Sequence, residues 1–144
     1  MHAAHALNPT TPFPGRIAFG LLALLLCAAL TGALIASGSG GWQALGFALA
    51  PDLALFVGIA PGLTRGQLHP RAVPLYNAVH GFGGPLLLGL AALLWLGVPW
   101  LVGLAALLWL GVPWLVGALS WSVHVAVDRA VGYGRRTPEG FRRA

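Results

Sequence analysis

Between His80 and His124 the chain carries no charged side chain. This run, Gly81 to Val123, is about twice the ~20 apolar residues that cross a bilayer once. A chain of 144 residues has too little interior to hide it in water. The run therefore reads as a helical hairpin in lipid. It ends in a polar string, Trp121-Ser122-Val123-His124-Val125-Ala126-Val127-Asp128-Arg129. Composition agrees: 58% of residues are hydrophobic and 8% charged, against ~25% charged in an ordinary soluble domain. Mean hydropathy is +0.81. The net charge of +5 does not point to nucleic acid, because no soluble basic face exists to carry it. It sets topology and meets anionic lipid headgroups instead. The single cysteine, Cys27, excludes an internal disulfide and a cysteine metal cluster. Basic residues that are all Arg, with abundant Ala, Gly and Pro, fit a GC-rich bacterial genome.

Residues 1–15 hold three prolines and read as a flexible tail, with His2 and His5 in solvent. A first helix is expected over about 17–36. Its uncharged stretch exceeds the ~7–15 residues of a signal-peptide core, so it is expected to stay as a span rather than be cut at Ala36-Ser37. A second helix is expected over 42–63, broken at Pro51-Asp52, because proline removes a helix hydrogen bond. Asp52 at mid-span has two readings. It caps the freed amides of the helix from Leu53 onward, or it is a ligand or acid/base in a polar cavity. Thr64 to Pro74 reads as a polar loop. A third helix is expected over 75–96, with Tyr76, Asn77 and His80 on one face.

An exact 14-residue tandem repeat follows, 89–102 and then 103–116. One copy gives ~21 Å of helix, too short for another crossing. Each copy carries the turn signal Gly-Val-Pro-Trp. A turn at Gly97 gives a fourth helix over 100–131, kinked at Pro113; a turn at Gly111 gives a long third helix and a short fourth. The first arrangement is preferred. A basic tail, 135–144, closes the chain.

The expected fold is thus all-α, an integral membrane four-helix bundle with residues 16–134 as the membrane domain. All eight arginines then fall on one side and none on the other. By the positive-inside rule both termini are cytoplasmic, in the bacterial inner membrane. The expected partners are the bilayer, with anionic headgroups near the arginine-rich tail, and no nucleic acid. A homo-oligomer is compatible with this reading.

This topology brings Asp52, Tyr76, Asn77, His80, His124, Asp128 and Arg129 toward one depth. His124 and Asp128 are four residues apart and share a helix face. Two His and two Asp (Asp52, His80, His124, Asp128) are a donor set for one divalent metal, Zn, Mn or Mg. Three roles compete. One is a structural polar cluster in which His124 and Asp128 satisfy one another. One is a metal-dependent hydrolase at the headgroups. One is a small proton-coupled transporter. No phosphate loop, Gly-x-Ser-x-Gly or His-Glu-x-x-His string occurs.

Pro51-Asp52-Leu53, then Tyr76-Asn77-x-x-His80, then Trp121-x-x-His124-x-x-x-Asp128-Arg129-Ala130-x-Gly132-Tyr133-Gly134, resembles the DUF4260 family of small bacterial membrane proteins with no assigned function. The resemblance runs from about Trp42 to Phe141. It implies that Asp52, Tyr76, Asn77, His80, His124, Asp128 and Arg129 form the family's polar centre. The tandem repeat departs from the family pattern, and so does the lack of a Thr-His pair after Phe141. The Pro-Asp and intramembrane His pattern is also similar to that of membrane-bound, metal-dependent hydrolases acting on lipids, by analogy only.

Overall fold

A computed structural model describes residues 13–96 and 104–142. Among these the chain is all-helical, with no strand beyond one bridge between Arg136 and Arg142. Six α-helices follow in order: α1 (Phe13–Ser37), α2 (Gly41–Leu49), α3 (Leu53–Val57), α4 (Val73–Val79), α5 (Gly83–Leu96) and α6 (Leu104–Val131). The expected tail residues His2 and His5 and the first Gly-Val-Pro-Trp, 97–100, lie outside the described residues. The second string, Gly111 to Trp114, lies inside α6, with Pro113 in its interior.

Helix α6 is the axis on which α1, α2 and α5 pack. Arg16 at the start of α1 donates to Ala130 O near the end of α6, so these two run antiparallel. Ser120 Oγ donates to Ala44 O at 2.6 Å and His124 meets Ala48 O at 2.9 Å. Contacts advancing by four on both helices mean that α2 and α6 run parallel. Close approach needs small residues. A side chain at Gly84 would strike the Trp121 ring, and one at Gly117 would strike Phe47.

Ala23, Ala92, Ala118, Ser120 and Ala126 are buried, while Leu24 is 69% exposed and Leu87 70%. Small residues between helices let their backbones approach closely. Two helical stretches, Pro14–Ser37 and Pro70–Leu94, are long and apolar enough to cross a membrane; Gly41–Val57 is apolar but shorter.

Two expected elements differ. The second helix, interrupted by a 3₁₀ turn at Ala50–Asp52, the expected break, does not reach 63: it ends at Val57, where Gly58 bonds back to Leu55 O in a turn. The third is not continuous over 75–96. It stops at His80 and restarts at Gly83, because Gly81, Gly83 and Gly84 weaken the helix and Pro85 fits a first turn, where no amide donor is needed. Within the basic tail Arg136 is 6% exposed, and its guanidinium donates to Gly66 O and Gly140 O.

Candidate metal centre

The two chain breaks and the last turn of α6 build one site. Pro51 is fully buried in the 3₁₀ turn between α2 and α3, and Asp52 follows it. His80 caps α4. His124 and Asp128 come from successive turns of α6. The carbonyls of α4's last turn have no helical donors of their own, a general property of helix ends. Side chains supply them: Trp121 Nε1 donates to Val79 O at 2.7 Å and Arg129 donates to His80 O at 3.3 Å. Helix α6 thereby pins the segment that carries His80.

Four side-chain atoms converge. His80 Nε2 lies 3.5 Å from Asp52 Oδ1 and 3.6 Å from Asp128 Oδ2. His124 Nε2 lies 3.7 Å from Asp52 Oδ1 and 3.6 Å from Asp128 Oδ2. These separations are too long for hydrogen bonds between nitrogen and oxygen. Each His–Asp separation is close to the ~3.3–3.6 Å expected between two donors that are each ~2.0–2.2 Å from one ion. The ligand atoms of Asp52, His80 and His124 all lie within 4.8 Å of one another.

Protonation follows from the other ring nitrogens. His80 Nδ1 faces Tyr76 O at 3.0 Å, and His124 Nδ1 faces Ala48 O at 2.9 Å. A carbonyl only accepts, so each Nδ1 carries a proton and each Nε2 is left to face the carboxylates. Both Nε2 atoms are buried without a hydrogen-bond partner. Two imidazole nitrogens thus face two carboxylates across gaps wider than a hydrogen bond. A cation held among the four atoms would satisfy them all at once. The bond from a ligating imidazole's second nitrogen to a backbone carbonyl is the usual way its tautomer and orientation are held.

The remaining predicted residues support the ligands. The Tyr76 ring stacks on His80 with centroids 3.8 Å apart, and the Arg136 guanidinium covers Tyr76 at 4.9 Å. Asn77 is turned away from the four atoms. It clamps the backbone of Arg136, donating to its carbonyl at 3.0 Å and accepting from its amide at 2.6 Å. Arg129 bonds His80 O rather than a carboxylate. Asp52 stands at the N-cap position of α3, but its side chain makes no capping bond there. His124 and Asp128 face one another with Nε2 3.6 Å from Oδ2, and Nδ1 of His124 is engaged with Ala48 O. Sequence reading also missed Arg136, which looks like any arginine of a basic tail.

Residues 19–144 match the family described as a domain of unknown function, DUF4260. The chain belongs to the DUF4260 family. No curated protein and no solved structure matches it. In this DUF4260 chain, access to the four atoms is one-sided. The side chain of Asp52 is 52% exposed, against 21% for Asp128, 11% for His124 and 1% for His80. Asp128, His124 and His80 are held largely within the bundle, and Asp52 stands at its surface.

Proposed function

We propose that this DUF4260 chain is a multi-pass inner-membrane protein, with both termini cytoplasmic, that holds one divalent metal ion between Asp52, His80, His124 and Asp128 and hydrolyses an ester at headgroup depth. The observation that carries the metal is the pair of buried, unpartnered Nε2 atoms aimed at two carboxylates. Imidazole with carboxylate favours Zn or Mn over Mg, which takes oxygen ligands. The membrane placement draws on the outward leucines and on arginines gathered at the end of the bundle where α1 begins and α6 finishes. The exposed side of Asp52 supports a hydrolytic role, since a catalytic ion needs an open face where a sealed structural site does not. A divalent ion there supplies a water that ionises near neutral pH. A purely structural cluster would tie its members by hydrogen bonds, whereas the His–Asp separations here are 3.5–3.7 Å.

The test is elemental analysis of full-length protein extracted in mild detergent. About one equivalent of metal is expected, with His124→Ala releasing it, since three ligands cannot hold the ion as four do. Metal-free wild type overturns the reading. Hydrolysis that survives chelation overturns its catalytic half.

A further inference from the structure

The charge around the centre does not balance within the chain. There are eight arginines against three acidic residues, and two of the three, Asp52 and Asp128, face the histidine pair. A divalent ion on two carboxylates and two neutral imidazoles is electrically neutral. The arginines beside it are then uncompensated. Arg129 reaches His80 O, and its Nε is buried without a partner. Arg135 is exposed, and its guanidinium lies beside Gly81, the next residue after that ligand. Arg129 lies within electrostatic reach of Arg135 and of Asp128, whose charge a bound ion would take up. Arg16 adds a third at Ala130 O. Among the described residues no ion pair joins an arginine to Asp52 or Asp128. Half-buried Arg129 and the exposed Arg16 and Arg135 thus gather three guanidinium groups at this end of the bundle, and such a cluster suits an anion.

We propose that the group taken at this centre is a phosphate ester, its phosphoryl oxygens lying between the ion and the guanidinium groups of Arg129 and Arg135. This rests on the metal reading above and names its substrate class. A carboxylic ester is uncharged and would leave the arginines without a counter-charge, whereas guanidinium forks match phosphoryl oxygens in shape and sign. The reaction is hydrolysis without redox change. The oxygen of water bonds to phosphorus, the bond from phosphorus to the alcohol oxygen breaks, and one proton of water ends on the alcohol. The phosphate arrives on a lipid headgroup or as a soluble ester, and the chemistry of recognition is the same.

The experiment uses full-length protein in dodecyl maltoside, loaded with Mn(II), and follows 31P line broadening. One arm adds inorganic phosphate; the other adds phosphatidic acid. Broadening in both arms supports a site that reads phosphate itself, and broadening by phosphatidic acid alone supports a headgroup site. Arg135→Gln and Arg129→Gln are each expected to weaken binding about tenfold or more, the size of one lost charge-assisted contact, with Mn(II) content unchanged. Arg135 is exposed, so its variant folds even where Arg129→Gln does not. Bound Mn(II) with no broadening in wild type, or with equal broadening in the arginine variants, overturns this proposal and leaves the metal reading standing. Wild type that takes up no Mn(II) overturns both.

Discussion

The end of the bundle that holds the ligands and the leucine-covered flanks of α1 and α5 are built on opposite terms. At the ligand end, specific bonds span long stretches of chain: Trp121 to Val79, His124 to Ala48, Asn77 to Arg136, Arg16 to Ala130. On the flanks, Leu24, Leu25, Leu86 and Leu87 project outward with most of their surface exposed. The contrast teaches where identity matters. A flank needs only to be apolar and helical, and many residues meet that need. The ligand end needs particular atoms at particular distances. The described end of the tandem repeat is not on the tolerant side: Val116, its last residue, is fully buried, and Trp114 packs against Phe47.

Three substitutions probe the contrast. The largest effect is expected from His80→Ala. It removes a ligand and leaves two carboxylates facing one imidazole, so metal content should fall from about one equivalent to about a tenth or less. Retained metal in this variant would show that the ligand end tolerates change as the flanks do. Next comes Asn77→Ala, which strips both bonds from the Arg136 backbone. Loss of two buried bonds should cost about 1–3 kcal/mol. It should also speed amide exchange at Arg136 and at Leu68, whose amide is bound to Gly140 O. Unchanged exchange would mean that the C-terminal segment is held elsewhere. The smallest effect is expected from Leu87→Ala on a flank, within about 0.5 kcal/mol by denaturant titration, with metal content intact. A larger loss would place Leu87 in a contact between copies of the chain.

Parts of the site were legible in the residues. His124 and Asp128 share a face because four residues bring a helix round to the same side. A break at Pro51 follows from the missing amide, and Tyr76 and His80 are stacked as their spacing suggests. Other parts were not. That the end of α4 is held against α6 depends on Trp121 and Arg129, which donate to the carbonyls of Val79 and His80. That Arg136 is buried depends on carbonyls at Gly66 and Gly140. Asp52 had two readings, and only the absence of a capping bond to α3 separates them.

What the sequence determined by itself is therefore local: helical segments, the breaks between them, family membership, and which polar residues share a helix face. Periodicity and proline chemistry act over a few residues, so they can be read along the chain. The tertiary structure alone decided that two imidazoles would donate from Nδ1 to backbone carbonyls and turn their Nε2 atoms toward Asp52 and Asp128. One of those carbonyls, Ala48 O, lies 76 residues from its imidazole. Only the packing of α2 against α6 brings such a distant acceptor within reach.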